Sequence, residues 1–247
     1  MHPLHTYPLP GFREPLCSVS HLFGAAAFAV LAWAFIRRGR GDWGRTLCLG
    51  AMAGSSILLL LTSALYHMCW PGPFRDIMNR VDVSAVFLLI AGSLTPVYGI
   101  LFRGFARSIP LALIWSVTVL GILSRVFSPQ SSIGPEGVAL FLAFGWGNII
   151  VTAVIWRRFG WDFIKPGILA GMSFTLGALV LMLHAPTVWH GVIGPHELWH
   201  AAVLSGMGFH WRFVSQFAGG APVVLRLRTY VPEPEFVNSE SFDARAA

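Results

Sequence analysis

Charge is scarce in this sequence. Asp, Glu, Lys and Arg make up 11% of its 247 residues, where a soluble domain carries about a quarter. Apolar residues make up 55%, and the mean hydropathy is +0.66. These values exclude a soluble globular domain and point to an integral membrane protein with several spans. Cysteine is scarce as well. Cys17, Cys48 and Cys69 are odd in number and form no CxxC, so neither a disulfide framework nor a cysteine zinc site is signalled. The residues before Ser18 are polar and proline-rich and lack the apolar core of a secretory signal peptide. No apolar run precedes Cys17, which excludes a lipoprotein cysteine; the first span is expected to direct insertion. The chain shows no internal repeat. Its spans hold no run of acidic residues that would line an ion path.

The net charge of +6 comes almost wholly from arginines lying between apolar runs. That pattern marks membrane topology rather than a nucleic-acid surface. The expected partners are membrane lipids, a lipid substrate among them, with no nucleic acid.

Seven runs reach the roughly 17–25 residues that cross a bilayer as a helix. They lie at about Ser18–Ile36, Thr46–His67, Asp82–Phe102, Ser108–Phe127, Gly134–Trp156, Gly167–His184 and His196–Phe217. The seventh is the least uniform, being interrupted by His200, Ser205 and His210. Proline and glycine punctuate most gaps, as at Pro71-Gly72-Pro73, Pro166-Gly167 and Gly194-Pro195. Short connections make neighbouring helices antiparallel. The expected fold is therefore all-α, a seven-transmembrane-helix bundle over residues 18–217. It is flanked by an N-terminal tail to residue 17 and a C-terminal tail from 218, disordered from about Tyr230. Small residues at Gly24, Gly92, Gly145, Gly147 and Gly171 are expected to allow close helix packing. Thr95-Pro96 is expected to kink the third helix.

Basic residues collect on one side: Arg37, Arg38, Arg40 and Arg45, then Arg103 and Arg107, then Arg157, Arg158 and Lys165, then Arg212, Arg226 and Arg228. The other side has Arg13, Arg75, Arg80 and Arg125. The positive-inside rule then puts the N-terminus outside and the C-terminus in the cytoplasm of a plasma or inner membrane.

The polar residues within the spans are the informative ones. His196-Glu197-Leu198-Trp199-His200 opens the seventh run. Histidines four apart share one helix face, the spacing that presents two imidazoles to one metal ion. An interfacial, merely solvated pair is the plainer reading of these two alone. Ser63 and His67, also four apart, close the second run, and Asp82 opens the third. Alternation of the spans brings all five to one side of the membrane. Three histidines plus a water form a catalytic zinc shell with an open position, and a carboxylate beside it can hold and deprotonate that water. Taken singly, Ser63 can bond a backbone carbonyl, His67 can be interfacial, and Asp82 can be a helix-start acid. His21 falls on the same side, as an interfacial residue or a donor to the ligands. His210 reads as a hydrogen-bonded core residue; His2, His5, His184 and His190 read as solvated.

The set Ser63-xxx-His67, Asp82 and His196-xxx-His200 resembles the hemolysin III / progestin and adipoQ receptor family of seven-helix membrane proteins. That family groups with the alkaline ceramidases among metal-dependent membrane hydrolases. Phe87 to Pro96 looks like its "LIAGTYTP" segment, and Phe144-Gly145-Trp146 like its "MGW". Ile114-Trp115-Ser116 and Gly121-Ile122-Leu123 are similar to its fourth helix. Glu14, Ser18, Ser20 and His21 look like its N-terminal "E-x-x-N-S-x-T-H" box, with Cys17 where the box has Asn. The likeness covers about residues 14 to 217. It implies zinc on His67, His196 and His200, with Asp82 on the zinc water. It implies Ser63 behind the ligands or donating to an oxyanion, and a ceramide-like lipid amide as substrate. The orientation from the charge rule is opposite to that usual for the adiponectin-receptor branch.

Other readings remain beside this one. His196 to His200 also fits HExxH, with Glu197 as the base of an intramembrane metalloprotease. The metzincin extension fails, because Val203 stands where Gly is needed. A serine hydrolase built on Ser63 lacks the nucleophile-elbow glycines. Paired histidines could instead hold haem or a quinone. The non-enzymatic reading is a receptor, channel or stress protein whose zinc is structural.

Overall fold

The computed structural model describes residues 12–127 and 135–220. The tail from Tyr230, with Arg226 and Arg228, lies outside them, as do His2, His5 and Gly134. Among the described residues the fold is all-α, without a sheet; Trp189 and Ile193 pair in an isolated bridge. The helices there are α1 (Pro15–Arg37), α2 (Trp43–Met68), α3 (Pro73–Leu101), α4 (Phe105–Phe127), α5 (Pro135–Trp146), α6 (Ile149–Phe159), α7 (Trp161–Leu183) and α8 (Pro195–Ser215).

Local chemistry accounts for where several of these begin. Pro15, Pro73 and Pro195 sit in the first turns of α1, α3 and α8, where a missing N–H loses nothing. Asp42 caps α2 by accepting from the Arg45 amide at 2.9 Å. At the start of α8 the Glu197 carboxylate reaches back to the Gly194 N–H at 2.9 Å. Gly160, at φ 84°, makes the turn from α6 into α7 that a side chain would oppose.

Two differences from the sequence reading have physical causes. First, α3 starts at Pro73, so Asp82 lies within the helix rather than at its first residue. The added turns are polar and escape a hydropathy reading. Arg75 anchors them, its guanidinium over the Tyr66 ring at 4.3 Å and its Nη1 donating to the Cys69 carbonyl at 2.8 Å. Second, the fifth span is two helices, broken at Gly147-Asn148. Asn148 holds the break: its amide donates to the Phe144 and Gly145 carbonyls, and its Oδ1 accepts from the Tyr98 hydroxyl at 2.6 Å. α3 continues through Pro96 to Leu101, with the Thr95 hydroxyl bonded to the Ala91 carbonyl at 2.7 Å.

Among the described residues, six segments are long and apolar enough to cross a membrane: α1 to α4, Gly137–Phe159, and α7. α8 is long enough but less apolar, because it carries His196, Glu197, His200, His210 and Arg212. It packs into the bundle against α7 and α1. α2 and α3 form the centre, with 61% of their apolar windows buried, against 11% for α4 and for Gly137–Phe159. The exposed apolar side chains of those outer helices, such as Phe105, Leu120 and Ile150, suit contact with lipid tails. Trp211 of α8 binds the centre together. Its ring packs on Phe28 and Phe35 of α1, with centroids 4.9 and 4.6 Å apart, and its indole N–H donates to Ser56 of α2 at 3.2 Å. Helix reversal puts the starts of α1, α3 and α8 and the end of α2 at one end of the bundle.

Candidate metal centre

At that end four side chains from three helices converge. His67 closes α2, His196 and His200 open α8, and Cys17 lies in the first turn of α1. The nearest donor atoms of all four lie within 4.8 Å of one another. The His196 Nε2 stands 3.3 Å from the His67 Nε2 and 3.1 Å from the His200 Nε2. Cys17, His67 and His200 are buried.

The histidines cannot satisfy this contact among themselves. A ring nitrogen offers one proton or one lone pair, not both. The His67 Nδ1 bonds the Glu14 carboxylate, so in the neutral ring it carries the proton and its Nε2 is a bare lone pair. The His196 Nε2 then faces two neighbours and cannot donate to one while accepting from the other. A tetrahedral ion bonded to nitrogen at about 2.0–2.1 Å separates its ligands by about 3.3–3.4 Å. The observed spacings are close to that, and the residues fit a divalent metal of the zinc type. Among the described residues, the His200 Nδ1 and both ring nitrogens of His21 are buried without a partner. The His21 ring stacks on His200 at 4.0 Å.

Glu14 orients His67. Its amide donates to the His67 carbonyl at 3.1 Å, and its carboxylate takes the His67 ring on one oxygen and Arg75 on the other, at 3.1 Å. Burial opposes its charge, but the hydrogen bond and charge of His67, with the charge of Arg75, outweigh that and hold the carboxyl at about 2. A carboxylate behind a ligating histidine fixes its tautomer and raises its basicity.

Asp82 stands apart from the four donors and is half-buried. Its carboxyl lies beside the Ser63 hydroxyl. Ser63 is thereby engaged with a carboxylate beside the cluster. Glu197 has a structural task, with Oε2 on the Gly194 N–H and Oε1 accepting from the Cys17 thiol at 3.4 Å. His210 bonds the Ser93 carbonyl at 2.9 Å, as a core histidine should. His184 and His190 are exposed.

The family model for haemolysin-III related proteins matches residues 12–211, which take in every one of these side chains. The chain belongs to the haemolysin-III related family. Among curated relatives it is similar to a hemolysin-3 homolog of Bacillus subtilis (strain 168), 27% identical over 62% of this chain and 68% of that protein. It is similar to hemolysin-3 of Bacillus cereus, 28% identical over 62% of this chain and 66% of that one. An adiponectin receptor protein of Drosophila melanogaster is 27% identical over 88% of this chain and 56% of its own length. The chain thus spans from about half to two thirds of these relatives. The family and the helices together make it a multi-pass integral membrane protein.

The sequence reading singled out His67, His196 and His200, which the fold brings together, and Asp82 with Ser63, which it sets beside them. Two contributors were missed. Cys17 was set aside for want of a CxxC, yet it reaches the cluster from a different helix, which a spacing rule cannot detect. Glu14 was noted only within the N-terminal box. The available signal was parity: the start of α1 lies at the same end as the histidines.

Proposed function

We propose that this protein is a zinc-dependent membrane hydrolase acting on the amide bond of a lipid. The observation that carries the reading is the meeting of three imidazole Nε2 atoms beside a carboxylate–hydroxyl pair. His67, His196 and His200 would hold the ion, and Glu14 would fix the His67 ring. Zinc so bound supplies a Lewis acid that polarises a carbonyl and acidifies water. Asp82 is the base, taking a proton at a carboxylate oxygen, and Ser63 orients that carboxylate by donating its hydroxyl to it. Burial of the cluster among helix ends limits water and favours a substrate arriving laterally from the bilayer. Glu197 is a weaker base candidate, because both its oxygens are occupied by the helix start and by Cys17. This disfavours the metalloprotease reading.

A second reading, a membrane receptor or stress protein with structural zinc, is favoured by the presence of Cys17 among the donors. One relative is named as a receptor and two as hemolysins.

Elemental mass spectrometry of detergent-purified protein is the first test. About one zinc per chain is expected in the wild type, lost in His200→Ala. Turnover of acyl-amide lipids should then fall by about 10²–10⁴-fold in Asp82→Asn and stay within a few-fold in Glu197→Gln. A folded wild type with no zinc overturns the metal reading. Zinc without turnover of any acyl-amide or ester lipid moves the assignment to the structural one.

A further inference from the structure

We propose that Cys17 is a fourth protein ligand of this metal, so that the resting site is a closed shell of one cysteine and three histidines. The inference rests on the three-histidine reading and adds a ligand that the family's N-terminal box, with Asn at that position, does not supply. Three observations carry it. The Cys17 sulfur lies in the same cluster as the three ring nitrogens, every pair of donors within 4.8 Å. A tetrahedral ion with sulfur at about 2.3 Å and nitrogen at about 2.0–2.1 Å sets S···N near 3.5 Å, inside the 4.8 Å limit that the four donors keep. The thiol donates to a partner outside the four donors, the Glu197 carboxylate, at 3.4 Å. Its proton therefore points at that carboxylate, and the sulfur lone pairs remain for the cluster.

The remaining geometry agrees. Cys17 is 1% exposed, so the sulfur is not a surface thiol free to react elsewhere. It sits in the first turn of α1, just after Pro15, and α1 is fixed against the end of α2 by the Glu14 and Arg13 amides, which donate to the His67 and Met68 carbonyls. The same short segment thus delivers Glu14 to one side of His67 and Cys17 to the metal side. Cys48 and Cys69 have no such place: Cys48 lies at the other end of α2, and Cys69 follows its last residue outside the cluster. On binding, the S–H bond breaks, a sulfur–metal bond forms, and the proton is released to solvent; no electron is transferred.

A closed shell changes what the site does at rest. Water has no position on the ion until the thiolate leaves it. The fourth ligand also raises the hold on zinc, as in structural sites, and gives preference to thiophilic ions over magnesium or manganese.

The test is spectroscopic and needs no substrate. Purified full-length protein is loaded with Co²⁺ in place of zinc, and the near-ultraviolet sulfur-to-cobalt charge-transfer band is recorded beside total bound cobalt. The expected result is about one cobalt per chain with the band in the wild type, and a bound but band-free cobalt in Cys17→Ala. Its affinity should be weaker by at least the ~10–100-fold that loss of an outer partner causes. X-ray absorption at the zinc edge of the wild type gives the same answer without a variant, as one sulfur bonded to the ion. Stoichiometric metal with no band and no sulfur in the wild type overturns Cys17 as a ligand and leaves the three-histidine site standing. A folded wild type that retains neither cobalt nor zinc overturns both.

Discussion

The two nitrogens of His67 face different tasks. One is bonded to Glu14, the other points at His196, and the first contact decides the state of the second. Glu14 is therefore worth more than its position ahead of α1 suggests. Glu14→Gln removes the charge that holds the His67 tautomer and leaves Arg75 without its carboxylate. Zinc affinity should fall by about 10–100-fold, measured by competition with a chromophoric chelator. Arg13→Ala is the control. Its contact with Glu14 is 3.7 Å and partly solvated, a class of ion pair that contributes about 1 kcal/mol or less, and affinity should hold. An unchanged affinity in Glu14→Gln would leave His67 oriented by packing alone.

Among helices, the contact between α7 and α8 positions His196 and His200, and small residues decide how close it is. A Cβ on Gly177 would meet the Ala202 Cβ at 2.5 Å and the Trp199 ring at 3.0 Å. Gly171, earlier on the same helix, has nothing among the described residues within 4 Å and faces open space. Gly177→Ala should destabilise the bundle by about 1–3 kcal/mol through overpacking. Gly171→Ala should be neutral or stabilising by up to about 1 kcal/mol, because alanine is the better helix former. Thermal unfolding in detergent would test the pair, and equal effects would mean that α7 is not seated against α8 as described. This contrast also marks where sequence reading stops. Gly171 and Gly145 were expected to serve close packing, but no described residue approaches either. Gly24 and Gly92 do lie against neighbours, Leu204 and Leu60 for the first and Ser55 and Ala51 for the second. Hydropathy found the spans, because a bilayer demands a long apolar run whatever the neighbours are. Which face of a helix meets protein is a tertiary property, and an all-round apolar helix carries no stripe to reveal it. The polar turns of α3 and the break at Asn148 were missed for the converse reason. Their stability comes from Glu14 and Tyr98, residues remote in sequence, and from Tyr66 across the turn. The three histidines were legible because two share a helix face and polar groups in a span stand out; Cys17 looked like any small residue at a helix start.

For the molecule as a whole, charge is divided between the two ends. The metal-cluster end holds Arg13, Arg75, Arg80 and Arg125, and Arg75 is paired there with Glu14. The opposite end carries Arg37, Arg38, Arg40, Arg45, Arg103, Arg107, Arg157, Arg158, Lys165 and Arg212. There Arg38 donates to the Ser215 carbonyl at 3.2 Å and Arg45 to the Gly219 carbonyl, so basic side chains of the first connection also hold the end of α8. The positive-inside rule predicts that the arginine-rich end lies in the cytoplasm. A reporter active only in the cytoplasm should therefore signal when fused after α8, and one active only outside should be silent. The reverse pattern would turn the bundle over and put the histidines on the cytoplasmic side.

The histidine cluster joins parts of the chain that are made far apart in time. His67 and His196 are separated by 129 positions, and Cys17 and Glu197 by 180. A growing chain inserts its early helices long before α8 leaves the ribosome. Until then His67 and Cys17 wait in the membrane without their partners. On the proposed metal reading, capture would be a late event of biogenesis, possible only once the final helix has docked beside the first. Starving a cell of zinc should leave a full-length, inserted protein whose first and last helices are poorly joined, and proteases that clear unassembled membrane proteins would meet it in that state.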